Sequence, residues 1–153
     1  MPETFPDCTL CPPKRGVVVV SDFWTLVLND NQATLGRVFF ALRRHETDVA
    51  ALSEAEVLSL WAFVRETKTA LTALFAPDHF NYLFLMNLTP HVHFHIFPRY
   101  AEQRAFAGQA FTDTNYGGHY DPDESRTLTA DAEEHLISSL RHALTQPASG
   151  SKL

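Results

Sequence analysis

Seven consecutive residues, His91-Val92-His93-Phe94-His95-Ile96-Phe97, alternate imidazole with apolar side chains. A period of two belongs to a β-strand, whose side chains project to opposite faces in turn. Val92, Phe94 and Ile96 therefore share one face, suited to a core, and His91, His93 and His95 share the other. A buried imidazole needs hydrogen-bond partners and costs free energy without them. Three in a row on one face are poor core residues, so this face is where chemistry is expected. Two arrangements fit the spacing. His91 and His93 can converge on one metal ion, or the three rings can divide the work between metal, nucleophile and phosphate contacts. Pro98-Arg99 follows at once. Arginine suits a phosphate, because its planar fork pairs with anionic oxygens in two-point fashion.

The strand is expected to end at Pro98. Four further strands are read before it: Val17–Val20, Phe23–Leu28, Leu35–Leu42 and Phe80–Leu88. The first two are rich in β-branched and aromatic residues, and Asn29-Asp30-Asn31 is a turn signal. Between the third and fourth lies a long helix. Ser53-Glu54-Ala55-Glu56 is a capping box, and Val57, Leu60, Trp61, Val64, Leu71, Leu74 and Phe75 recur on one helical face until Pro77. Residues 99–126 read as irregular. Thr129 caps a last helix with Leu136, Ile137, Leu140, Ala143 and Leu144 on one face. The expected fold class is α+β: a five-stranded antiparallel sheet with a long middle helix and a C-terminal helix. The chain reads as one domain over residues 1–146 with a flexible tail over 147–153.

Composition narrows the partners. A formal net charge of -6 over 153 residues argues against bulk electrostatic attraction to nucleic acid or to anionic membrane. Apolar runs fall short of the roughly 20 residues a membrane span needs. The start of the chain has no basic, then apolar, export pattern. Both cysteines, Cys8 and Cys11, sit in a proline-rich opening segment as C-x-x-C. Without an export signal a structural disulfide is the weaker reading, leaving a redox pair or half of a metal site. Pro12-Pro13 disfavours the helix that a redox pair would start, which favours metal.

From His91 to Arg99 the sequence resembles the signature of the histidine triad (HIT) family, and its Pro98-Arg99 ending looks like the fragile histidine triad and bacterial hydrolase branches. The resemblance extends from Cys8 through the strand order, the long helix and the strand ahead of the motif. It implies a nucleotide hydrolase or nucleotidyl transferase, such as a diadenosine polyphosphate hydrolase, and a homodimer with a small nucleotide as substrate. His93 would attack phosphorus and carry the nucleotidyl group, and His95 would contact the phosphate. Asn29 falls where the family holds the ribose hydroxyls, although Asn29 is equally at home as a turn former. Asn87 matches an amide near the phosphate. The chain has Gly36-Arg37 where many members have Gly-His, and Arg37 can supply charge but cannot serve as a neutral base. Leu88-Thr89-Pro90 replaces a Gly-Gln-Ser/Thr loop, with Thr89 as the candidate for its phosphate contact. Zinc-containing members look the same at Cys8, Cys11, His45 and His91, which implies a closed, structural zinc site. His79, His119, His135 and His142 read as surface residues. A metallohydrolase built on His91 and His93, and a zinc-stapled nucleotide-binding module without turnover, remain alternatives. The expected location is cytoplasmic, or peroxisomal in a eukaryotic cell, since Ser151-Lys152-Leu153 matches that address.

Overall fold

A computed structural model describes residues 5–146; the tail expected at 147–153, with its terminal tripeptide, lies outside them. Five strands form one antiparallel sheet: β1 (Val17–Val20), β2 (Trp24–Leu28), β3 (Val38–Leu42), β4 (His79–Phe84) and β5 (His93–Arg99). Their spatial order is β1-β2-β3-β5-β4, so the histidine strand is interior and β4 is an edge. The fold is the α+β arrangement expected. No helix among the described residues is long and apolar enough to cross a membrane.

The sheet's two faces follow from the alternation in its sequence. Phe94 sits opposite Phe40 on β3 and Phe84 on β4, and Ile96 opposite Val38 and Tyr82. That face packs on helix α1 (Glu54–Phe75) and helix α2 (Ala130–Thr145). Ser53 caps α1 through the expected box, accepting from the Glu56 amide while its own amide donates to the Glu56 carboxylate at 2.7 Å. Glu56 also takes two hydrogen bonds from Arg44, at 2.6 and 3.0 Å, so the cap anchors the helix to the turn after β3. The buried stripe of α1 is Leu60, Phe63, Val64, Thr67, Ala70, Leu71 and Phe75. Trp61, expected inward, is 44 % exposed and meets Phe94 only edge-on.

The boundaries correct several expectations. β3 starts at Val38 because Gly36 sits at φ +85, a conformation that favours glycine and that breaks the ladder. A Cβ there would lie 3.0 Å from Leu71 of α1, so the same residue also lets the loop close on the helix. β4 stops at Phe84, and β5 begins at His93, after His91. At its other end β5 runs through Pro98 to Arg99. The Arg99 carbonyl accepts from the Asp78 amide on the β4 side, so Pro98 turns its missing donor toward β3, which has already ended. There the strand behaves as an edge and tolerates proline. Within the segment read as irregular, β6 (Arg104–Phe106) and β7 (Gln109–Phe111) make a separate hairpin. Its two-residue turn, Ala107-Gly108, has φ +50 and +72, the left-handed pair that hairpins prefer.

Candidate nucleotide site and metal centre

The face opposite α1 and α2 carries the histidines of β5. His93 pairs across the ladder with Ala41, and His95 with Phe39 and Leu83. The rings of His93 and His95 meet edge to face, with centroids 4.8 Å apart, and Phe39 touches both. Each of the two histidines is 7 % exposed. His93 Nδ1 lies 2.6 Å from the His91 carbonyl oxygen. A carbonyl only accepts, so Nδ1 carries the proton and the Nε2 of a neutral ring keeps its lone pair. Burial lowers the pKa of His93, against the opposing pull of that carbonyl, so the neutral ring is the form at neutral pH. Burial also pushes His95 down to about 3, with the charges of His93 and Arg37 acting in the same direction. His95 Nδ1 is buried without a hydrogen-bond partner.

His91 does something different. It precedes β5, and its ring turns to the N-terminal knuckle. One ligand atom from each of Cys8, Cys11, His45 and His91 lies within 4.8 Å of every other. His91 Nδ1 is 3.4 Å from Cys8 Sγ, 3.2 Å from Cys11 Sγ and 3.3 Å from His45 Nδ1, and Cys11 Sγ is 3.2 Å from His45 Nδ1. Ligand atoms around a tetrahedral zinc stand roughly 3.3–3.8 Å apart, given bonds of about 2.0–2.3 Å. The donor set therefore fits zinc in number, type and spacing. The outer groups fit as well. His91 Nε2 donates to the Leu42 carbonyl at 2.7 Å, leaving Nδ1 free of its proton, and Phe5 stacks on the His45 ring at 3.9 Å. Burial pushes the Cys11 thiol up to about 12, helped by the adjacent Cys8; a cation at the centre reverses that balance. Both nitrogens of His91 are engaged in this arrangement, so none remains for a second metal shared with His93.

Other expected site residues separate into three groups. Asn29 and Arg37 flank the triad face: the Asn29 amide donates to the Arg37 carbonyl at 3.1 Å. Asn29 Oδ1 caps a local turn by accepting from Asn31 N, so the turn-forming role is real. Asn29 also lines a cleft of about 390 Å³ with Val27, Phe39, Asp30 and Lys14. Asn87 and Thr89 lie apart. Asn87 is exposed beyond the end of β4, and Thr89 borders a different cleft with Cys8 and His45. Arg99 shares the triad face, but it is 2 % exposed and spends all five N–H donors within the chain. Nε and one Nη go to Asp113, at 2.6 and 3.0 Å; the rest reach Asn81 Oδ1 and the carbonyls of Asn115 and Gly118. The expectation that Arg99 meets a phosphate is corrected: it ties the loop 113–118 to β5. That loop delivers Tyr120, which stacks on Phe97 at 4.4 Å. Tyr120 and Phe39 were missed as site residues. Phe39 was detectable, since period-two pairing puts it on the histidine face; Tyr120 was not, because its position depends on Arg99. His79, His119, His135 and His142 are exposed as expected.

The family model described as HIT domain matches residues 12–102. No curated protein matches the chain. Among solved structures, a hypothetical histidine triad nucleotide-binding protein of Sulfolobus tokodaii is 16% identical, with 90% of this chain and 91% of that chain covered and a TM-score of 0.68. A zinc-bound histidine triad family protein of Mycobacterium smegmatis is 17% identical over 90% of this chain and 93% of its own, at a TM-score of 0.63. A HIT family protein of Bacillus anthracis is 25% identical over 65% of this chain and 77% of its own, at a TM-score of 0.59.

Proposed function

The chain belongs to the HIT domain family, and from that premise we propose that it is a nucleotide hydrolase or nucleotidyl transferase. In this reading it acts on dinucleoside polyphosphates or other adenylated nucleotides through a covalent intermediate on His93. The observation that carries the reading is the 2.6 Å bond from His93 Nδ1 to the His91 carbonyl. It fixes the tautomer and leaves Nε2 as a nucleophile on a dry face. Nε2 attacks phosphorus, an N–P bond forms, and the P–O bond to the leaving group breaks. The leaving oxygen departs with the electron pair and takes up a proton. Water, or another acceptor hydroxyl, then attacks the same phosphorus, the N–P bond breaks, and Nε2 recovers its lone pair. His95, neutral and with a partnerless buried Nδ1, is placed to bond the oxygens of the transferred phosphate. Positioning and charge stabilisation are the main requirements of such a transfer. The cleft of Val27, Phe39 and Asn29 would hold the nucleoside.

Cys8, Cys11, His45 and His91 would hold a structural zinc, with all four positions filled by the chain. Bound there, it pins the knuckle to the start of β5 and so fixes the carbonyl that orients His93. Two copies of the chain would pair along the edge strand β4. Tyr82 on β4 is 40% exposed, and Leu58 and Trp61 on α1 are 62% and 44% exposed, and an open edge with apolar exposure invites pairing.

The test is a screen of adenylated compounds with product analysis, followed by trapping. A radiolabelled adenylated substrate quenched in alkali should leave acid-labile nucleotide on the peptide that contains His93. His93→Ala should abolish turnover and adduct alike while zinc content stays unchanged. Wild-type turnover by the His93→Ala protein, or loss of its zinc, would refute the assignment.

A further inference from the structure

One cation on the triad face stands without a counter-ion. Among the described residues Arg37 enters none of the ion pairs, and its buried Nε has no hydrogen-bond partner. Its guanidinium carbon lies 4.2 Å from the centre of the Phe97 ring and 5.9 Å from that of Tyr120. Those two rings stack on each other at 4.4 Å, so the guanidinium lies against an aromatic wall. Burial draws Arg37 down to about 10, which still leaves it charged at neutral pH.

Its place along the strand assigns the role. Val38 pairs with Ile96, so Arg37 falls beside Phe97, the row beyond His95 and two rows beyond His93. Phe97 lies two rows from His93 on the same face, with the His95 ring between them at centroid distances of 4.8 and 5.7 Å, so the guanidinium against Phe97 is nearest the phosphates beyond the one that His93 attacks. Past this row opens a cleft of about 500 Å³ bordered by His79, Asn81, Tyr116 and His119. Arg99 borders it too, but Asp113 neutralises Arg99 and its donors are spent. The chain as a whole carries a formal charge of -6, so its general field opposes a polyanion. Among the described residues in the row beyond His95, Arg37 is the cation with donors to spare.

We infer that Arg37 reads the leaving group. Its fork pairs with phosphates beyond the one being transferred, and the far half of the substrate lies in the cleft of Tyr116 and His119. The favoured substrates are then nucleotides whose leaving group is itself a phosphate or polyphosphate, above those that release an amine or an alcohol. The inference rests on the proposed function and names the substrate class for that same site.

The experiment compares two substrates with one adenylyl group, diadenosine tetraphosphate and adenosine 5′-phosphoramidate. Wild type should prefer the tetraphosphate. Arg37→Met, which keeps the apolar stem, should lower kcat/KM for the tetraphosphate roughly tenfold or more beyond any fall for the phosphoramidate, as expected for a lost charged hydrogen bond. Arg37→Lys should recover part of that selectivity. An equal fall on both substrates, or an unchanged ratio, overturns the inference. Binding separates this outcome from failure of the functional reading. In His93→Ala protein, the affinity ratio of ATP to AMP should drop when Arg37→Met is added, whether or not the wild type turns anything over. A ratio that does not move overturns the role of Arg37 by itself.

Discussion

Arg99 offers the sharpest test of how this fold supports its site. Arg99→Leu removes five hydrogen bonds, but the five acceptors do not suffer equally. The Asn115 and Gly118 carbonyls belong to exposed residues and regain water when the loop relaxes. Asp113 cannot do so easily: its side chain is 4% exposed, and it loses its only ion-pair partner among the described residues. Breaking a buried pair by removing one partner costs about 3–5 kcal/mol, most of it from the charge left behind. The lower end applies here, about 3 kcal/mol, since the loop can open. Burial works against the Asp113 carboxylate, yet Arg99 and the Tyr100 and Asn115 amides hold its pKa below the ordinary value. A lowered folded pKa gives stability that is present above the unfolded pKa and lost as pH falls through the folded one. Without Arg99 the same burial raises Asp113, and the sign reverses: stability is then lost as pH rises. The deficit of Arg99→Leu should therefore shrink between about pH 7 and about pH 4. Asp113→Asn in the same chain removes the stranded charge and should recover about half of the loss. Urea unfolding of the three variants measures all of this. A deficit under about 1 kcal/mol near neutrality, or one indifferent to Asp113→Asn, would refute the reasoning. Selectivity for a charged leaving group should fall as well, because Tyr120 leaves Phe97 with the loop.

Cys8→Ser should reduce bound zinc from about one equivalent per chain and lower the unfolding midpoint, since metal binding energy at such a site is folding energy; full stability after zinc is removed would exclude a structural role. Trp61→Glu combined with Tyr82→Lys should convert a dimer to single chains in sedimentation equilibrium without changing the fold, and a wild-type protein that already sediments as a single chain would remove β4 as a pairing edge.

Much of this molecule was legible because short-range rules fix it. Ser53 and Glu56 announce a capping box and form one. The alternation from Val92 to Phe97 predicts which side chains meet α1, and the register obeys it. The resemblance to a known set implies Cys8, Cys11, His45 and His91 as candidate metal ligands, and their ligand atoms do converge. What failed depends on partners distant in the chain. Pro98 reads locally as a strand end, yet survives within β5 because β3 stops short on that side. Trp61 falls on the apolar face of its helix by periodicity alone, but the face that packs is turned toward Phe63 and Thr67. Arg99 beside a histidine motif suggests a phosphate; Asp113, fourteen residues on, claims it first.

That last error shows what surrounds the histidine face. Every residue of β5 is buried, on the histidine face as much as on the core face. One face is covered by helices that any strand of this pattern would recruit. The other is covered by two irregular segments: the knuckle through Cys8 and Cys11, and the loop from Asp113 to Tyr120. His93 is oriented from within the motif, by the His91 carbonyl, and so its orientation comes with the signature. The walls do not. Arg37 lies over Phe97, on which Tyr120 stacks, and Arg99 holds the loop that leads to Tyr120. On the proposed reading, a change in that loop should therefore alter which leaving group is accepted while leaving the histidines untouched.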